Sequence, residues 1–191
     1  VGGRGTVDVL TGLVNPSGKL TDTIAFSLDD YPSSGNFGNE DVDRYEEDIF
    51  VGYRYFETFA PDRVMYPFGY GLSYTQFDYS NVTLSEIQMN INGTITASVT
   101  VTNCGQVAGK EVVQMYIQDI VGSSTRPVRE LKGFEKISLA PGESRRIDLP
   151  ISADLLKYYD FEMSYVAEPG EFKVYIGGDS TTDNCAGFNL I

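Results

Sequence analysis

Residues 94–102 alternate strictly. Thr94, Thr96, Ser98, Thr100 and Thr102 are polar, while Ile95, Ala97, Val99 and Val101 are apolar. A period of two in a run rich in β-branched residues predicts a half-buried strand. The same texture fills the chain from residue 78 onward. Asp78–Met89 is strand-rich, Glu111–Gln118 sets Val113, Met115 and Ile117 on one face, and Arg129–Leu139 and Ser144–Pro150 form two more strands joined at Ala140-Pro141-Gly142-Glu143. Met163–Ala167, Phe172–Gly177 and Asn184–Ile191 complete the set. Turns are expected at Asn103-Cys104-Gly105-Gln106 and Glu168-Pro169-Gly170-Glu171, and a short helical turn at Asp154–Lys157. About seven short strands at roughly 8–15-residue spacing predict an antiparallel β-sandwich.

The first part of the chain reads differently. Residues 4–12 suit the last turns of a helix, with Val7, Val9, Leu10 and then Leu13 apolar and Gly12 placed for a left-handed end. Asn15-Pro16-Ser17-Gly18 is a turn, Lys19–Phe26 alternates loosely as a short strand, and 27–44 is loop-like. Residues 45–77 then hold eleven Tyr and Phe. Removing apolar area from water yields about 25 cal/mol per Å², so this run is expected to be buried. It carries Pro61, Pro67, Gly69 and Gly71 and shows no helical period. It therefore predicts an extended, buried connector between two packed units.

The connector also carries a family pattern. Tyr45-x-Glu47-x-Ile49-x-Val51-Gly52-Tyr53-Arg54-Tyr55-Phe56, followed by Tyr66-Pro67-Phe68-Gly69-Tyr70-Gly71-Leu72-Ser73-Tyr74-Thr75, closely resembles family 3 glycoside hydrolases, the β-glucosidase group. Asn15-Pro16-Ser17-Gly18-Lys19-Leu20 fits upstream. Val101-Thr102-Asn103-x-Gly105, Glu111-Val112-Val113-Gln114-Met115-Tyr116, Glu130-Leu131-Lys132-Gly133-Phe134 and Pro141-Gly142-Glu143-Ser144 fit downstream, in order. The resemblance implies three parts: the end of an α/β sandwich domain at 1–44, the aromatic connector at 45–76, and a fibronectin type III-like β-sandwich at 77–191. The expected fold is thus mainly β, with a partial α/β segment in front. Val1-Gly2-Gly3-Arg4-Gly5 matches a stretch inside the α/β domain, which implies a fragment or processed piece. The barrel is expected either before or after it, because some relatives are permuted.

The implied parent is a retaining glycosidase acting on terminal β-linked sugars. Such enzymes need two carboxyl groups about 5–5.5 Å apart. In the resembled family the nucleophile is an Asp of a TIM-like barrel, and the acid/base Glu lies ahead of the Gly-Gly-Arg stretch. No residue here matches either, so no catalytic residue is assigned and the chain alone is expected to be inactive. Its implied role is to brace and partly edge the cleft. Its implied partners are the barrel, the rest of the α/β domain, and a carbohydrate substrate. The alternative is a carbohydrate-binding or structural β-sandwich module with no catalytic part.

Three residues are candidates for the cleft. Glu47 matches the Glu of the family's Tyr-x-Glu-Gly motif, with Asp48 standing where Gly is usual; the plainer reading pairs Glu47 with Arg54 or caps a turn. Tyr31 and Phe37, in the polar loop, are candidates to stack on sugar faces, against folding under the loop. Arg54, Tyr53 and Tyr55 are expected to be structural, the guanidinium stacking on aromatics or clamping a carbonyl. Arg126-Pro127 and Arg129–Lys132 are read either as a docking surface or as a solvated rim.

Charge and composition narrow the partners. With 27 acids against 14 bases the net charge is −13, which argues against nucleic acid and anionic membranes. No apolar run approaches the roughly 18 residues of a span. There is no His, so neither a His-dependent triad nor a His zinc site arises here, and neither metal nor cofactor is expected. Cys104 and Cys185 are expected to be free thiols rather than a bridge. Asn81-Val82-Thr83 and Asn92-Gly93-Thr94 match the short glycosylation pattern. The compartment is open, with a cytoplasmic location favoured over a secreted one.

Overall fold

A computed structural model describes residues 2–39 and 41–191; Val1 and Glu40 lie outside the described residues. Helix α1 (Gly2–Leu10) opens the chain and strand β1 (Ile24–Ala25) follows. Helix α2 (Tyr53–Phe59) leads into β2 (Val64–Tyr66), which pairs antiparallel with β1. The sandwich then comprises β3 (Phe77–Tyr79), β4 (Thr83–Leu84), β5 (Gln88–Met89), β6 (Thr94–Asn103), β7 (Gly109–Asp119), β8 (Glu130–Leu139) and β9 (Ser144–Ser152). After the turn of helix α3 (Ala153–Leu156) come the short hairpin β10 (Tyr158–Tyr159) and β11 (Tyr165–Val166), then β12 (Gly170–Gly177) and β13 (Cys185–Leu190). No helix among the described residues is long and apolar enough to cross a membrane.

Two sheets face each other. One has the order β5-β13-β12-β7-β8. In the other, β6 pairs along its whole length with β9 and on its free side with β3 and β4 in turn. Inward residues Ile95, Val99 and Val101 of β6 and Ile147 and Ile151 of β9 meet Val113, Met115, Val174 and Ile176 across the core. Phe172 and Phe188 stack within it at 5.5 Å. Ile95, Val99, Val101, Val113 and Met115 are positions that the sequence pattern placed on one face, and the mainly β, fibronectin type III-like expectation holds. One pairing departs from a purely antiparallel sheet: β5 runs parallel to β13.

The connector is not extended. Residues 53–59 form a helix, and Pro61–Arg63 a further 3-10 turn. Tyr53, Tyr55, Phe56 and Phe59 share one side of α2 and Arg54, Glu57 and Thr58 the other, but a helix of 7 residues is only about two turns, too short for the 3.6-residue period to stand out. Nor is the run wholly buried. Phe56 is 1 % exposed, but Tyr45 is 87 % exposed, and Phe59 and Tyr74 remain largely open. The strand expected over Lys19–Phe26 contracts to Ile24–Ala25, and that over Met163–Ala167 to Tyr165–Val166. Met163 itself has φ 61, which takes it out of extended geometry. Gly12 does adopt the left-handed end, at φ 76.

Candidate functional site

The candidate site is the seam where α2 and the loop after it lie on the sandwich, together with the turn before α2. Strand β7 prepares the surface. Its residues 113–117 are buried on both faces, Val113, Met115 and Ile117 against the core and Gln114 and Tyr116 under the connector. Tyr53 covers Tyr116 at 5.9 Å between ring centroids and packs on Phe68 at 4.7 Å. Its hydroxyl oxygen accepts the Leu131 N–H at 2.8 Å. One aromatic residue thus supplies both apolar area and a hydrogen bond to the sheet.

Polar groups complete the seam. Gln114 donates to the Gly178 carbonyl at 2.5 Å and to the Gly69 carbonyl at 3.4 Å, and accepts from the Tyr116 hydroxyl at 2.6 Å. Gly69 lies at φ 84, and a Cβ there would sit 2.3 Å from the Gln114 amide oxygen. Glycine is required on both counts. A Cβ on Gly71 would lie 2.4 Å from the Gly18 carbonyl, so its absence lets two backbones meet. Leu20 N–H donates to Tyr70 O, and Gly69 N–H to Leu20 O, both at 2.8 Å.

Charges fasten the same surfaces. Lys19 meets Glu111 at 2.8 Å with little of either side chain exposed. Glu57 accepts from the Ser180 hydroxyl at 2.6 Å. Burial raises the Glu57 pKa; the Ser180 hydroxyl and Arg129 oppose that rise, and Asp179 and Asp183 add to it. Arg129 donates to the carbonyls of Ser180 and Thr182 at 2.9 and 2.8 Å while lying over the Tyr175 ring at 4.2 Å. Burial likewise pushes the Tyr116 and Tyr79 hydroxyls up, so both stay protonated.

The sequence candidates distribute themselves around this seam. Arg54 pairs with Glu130 of β8 at 3.4 Å, not with Glu47, because the helical turn carries it toward the sandwich. Glu130 also receives Arg126 and Lys132. Tyr55 packs against Phe56 and Phe59 of its own helix. Tyr31 is engaged inside the protein: its hydroxyl donates to Thr23 O at 3.0 Å and accepts from Ala25 N–H at 3.1 Å, and its ring meets Phe56 edge-on at 5.5 Å. Phe37 projects to solvent, 85 % exposed.

Glu47 sits in the turn Glu46–Ile49, held by Phe50 N–H to the Glu47 carbonyl at 2.8 Å. Asp48 takes the left-handed conformation at φ 48, the geometry that the family's glycine would adopt freely. The Glu47 Oε2 is buried without a hydrogen-bond partner. Rings in sequence, Tyr31 to Phe56 to Tyr55 to Phe59 to Phe50, run from the first loop to this turn. Tyr31 and Glu47 are thereby joined through one aromatic chain, while Phe37 stands apart.

The arrangement holds surfaces together. Glu130 is occupied by three cations, and Asp160 accepts the Glu162 and Ser164 N–H groups. Among the described residues no group of His, Cys, Asp and Glu is arranged to hold a metal. Cys104 and Cys185 are free and exposed. Sequence reasoning missed Glu57, Gln114 and the Lys19–Glu111 pair. A signal existed for two of them: Glu111 and Gln114 are polar residues inside an otherwise apolar strand.

Comparison with known proteins gives a consistent result. Residues 1–74 match the glycosyl hydrolase family 3 C-terminal domain, and residues 111–180 the fibronectin type III-like domain. A β-glucosidase of Ruminococcus albus is 46% identical over 99% of this chain, which spans 20% of that protein. A periplasmic β-glucosidase of Salmonella typhimurium is 45% identical over 100% of the chain and 25% of its own length. The structure of β-glucosidase 3B from Thermotoga neapolitana in complex with glucose superposes with a TM-score of 0.86 and 40% identity, covering 98% of this chain and 26% of that one. The Bifidobacterium adolescentis family 3 β-glucosidase gives 0.89 at 37% identity, covering 99% and 28%. The chain therefore spans about a fifth to a quarter of the relatives it matches.

Proposed function

The chain belongs to glycosyl hydrolase family 3, as its C-terminal part, and from that premise we propose that it is the bracing segment of a retaining β-glycosidase, β-glucosidase-like, that hydrolyses terminal β-linked sugars. The reactive carboxylates belong to other domains, a TIM-like barrel and the remainder of an α/β domain, in the same or another chain. Residues 1–44 complete that α/β domain, 45–76 connect, and 77–191 are the brace. The observation that carries the reading is the unpartnered apolar face of the first unit. Helix α1 has no buried residue: its apolar Val7 and Leu10 are 55 % and 76 % exposed, and Leu13 and Val14, just after it, are open as well. A helix with a wide-open apolar face is stable in company rather than alone.

Glu47 takes a cleft-edge role in this reading. Its Oε2 is buried without a hydrogen-bond partner, and the ring chain from Tyr31 to Phe50 keeps its turn in place. Phe37, fully available, is the residue left to meet a sugar face or a neighbouring domain.

The test is direct. Assayed alone on an aryl β-glucoside, the 191-residue chain is expected to show no turnover. Turnover matching an intact relative, such as the Ruminococcus albus enzyme, would refute the division of labour.

A further inference from the structure

Several anchors of the seam meet on one loop, residues 178–184 between β12 and β13. Gln114 donates to the Gly178 carbonyl, Arg129 to the carbonyls of Ser180 and Thr182, and the Ser180 N–H to Phe68 O at 2.9 Å. Ser180 is fully buried. Amides stay neutral and a guanidinium stays charged at any ordinary pH, so the hold of these anchors does not vary with acidity. The last anchor differs in kind. Glu57 of α2 accepts the Ser180 hydroxyl hydrogen bond at 2.6 Å, and it is the one anchor of this loop that can gain or lose a charge.

The surroundings of Glu57 disfavour that charge. Among the described residues no ion pair reaches it: Arg54, one turn earlier on α2, is turned to Glu130, and Arg129 is engaged by the loop carbonyls. The other groups that face it are Asp179 and Asp183 of the loop and the Tyr116 hydroxyl of β7. Both aspartates oppose its ionisation, Arg129 favours it, and burial outweighs Arg129. The helix beneath has fastenings that do not titrate. Thr58 Oγ1 accepts the Val128 N–H at 3.0 Å, and the Phe56 ring meets Tyr31. A change of charge at Glu57 therefore falls on the loop rather than on α2.

We propose that Glu57 is a proton-operated latch on the loop 178–184. While its carboxyl carries a proton, the clasp with Ser180 ties the loop to α2. Once ionised, the carboxylate is held partly out of water beside Asp179 and Asp183, and the loop opens locally to hydrate it. The seam is thus tightest in mild acid and loosens at this loop as pH rises. The linkage has a ceiling. In the open state the carboxyl is ordinary, with a pKa of about 4.3, so each pH unit between that value and the folded one multiplies the open population by up to about tenfold, and above the folded value it stays constant. The latch lies within this chain and does not depend on the bracing role or on any sugar.

The test is amide hydrogen exchange of the isotopically labelled 191-residue chain, read by NMR as protection factors between about pH 5 and about pH 8. Protection at residues 178–182 is expected to fall several-fold across this range, while the Phe56 and Ala60 amides of α2 and those of β7 hold theirs. In Glu57→Gln, which stays neutral and keeps an acceptor for Ser180, the fall should vanish. A carbon-13 titration of the wild-type Glu57 carboxyl should have its midpoint above about 4.3. Constant protection of the loop in the wild-type chain overturns the proposal, as does an equal fall in Glu57→Gln. A Glu57 midpoint at or below about 4.3 overturns it by itself, without need of the variant. An equal fall across α2 and β7 would mean that the whole chain is destabilised, and would overturn the latch too.

Discussion

Replacing Gln114 with Leu probes whether the seam is held by its polar network or by ring packing alone. Gln114 is 3 % exposed and Tyr116 fully buried. Leu fills nearly the same space, so the change is mainly one of hydrogen bonding. The Tyr116 hydroxyl loses the acceptor at 2.6 Å, and the Gly178 carbonyl loses the donor at 2.5 Å. A buried group left unpaired costs about 1–3 kcal/mol, so two together place the loss at about 2–4 kcal/mol. At about 2–4 °C per kcal/mol for a chain of this size, the thermal midpoint should fall by roughly 5–15 °C. Tyr116→Phe removes the orphaned hydroxyl. In the double variant Gln114→Leu/Tyr116→Phe the loss should therefore be smaller than the sum of the singles by about 1–2 kcal/mol. Urea unfolding followed by far-UV circular dichroism and tyrosine fluorescence measures all three variants. A Gln114→Leu cost below about 0.5 kcal/mol, or strict additivity in the cycle, would show that the network does not bear on the seam.

Three other substitutions address the same surface. Gly69→Ala combines φ 84 with a Cβ 2.3 Å from the Gln114 amide oxygen, and should cost more than about 1 kcal/mol in urea unfolding; a neutral result would mean the loop is free to shift. Lys19→Met leaves Glu111 buried without its cation and should cost about 3 kcal/mol, with much of that recovered in Lys19→Met/Glu111→Leu; thermal midpoints decide, and no recovery in the double variant would contradict the pairing argument. For Glu57, burial raises the folded-state pKa above the unfolded one. Its contribution to stability is complete below the unfolded value, about 4.3, and is lost as pH rises through the folded value. Glu57→Gln, which keeps an acceptor for Ser180, should match wild type near about pH 4 and exceed it above about pH 7, and a pH-independent difference would refute the assignment.

Much of the molecule is legible in the linear order of residues. The alternation in Thr94–Thr102 reports which side of the strand faces the core, a local property of the backbone pleat. The sandwich follows because each such face needs another. The aromatic run in 45–77 locates the junction for a similar reason: eleven aromatic residues cannot all stay wet. Helix α2 escaped notice because its 7 residues make only about two turns between Gly52 and Pro61, too few for the helical period to show. The Glu47–Arg54 pairing failed because sequence proximity is a poor guide once a helix turns its side chains to different neighbours.

What remains belongs to distance in the chain rather than to pattern. Arg54 finds Glu130, Glu57 finds Ser180, and Lys19 finds Glu111, each across 76 or more positions. No local rule selects such partners; the packing of residues 19–57 onto the sandwich does. Tyr159 and Tyr165 likewise pack 4.9 Å apart only because a hairpin sets them opposite each other. Composition and periodicity settle which surfaces must be buried, since burial energy depends on residue type. The choice of surface that each one meets is settled by the folded geometry, because it is a property of pairs.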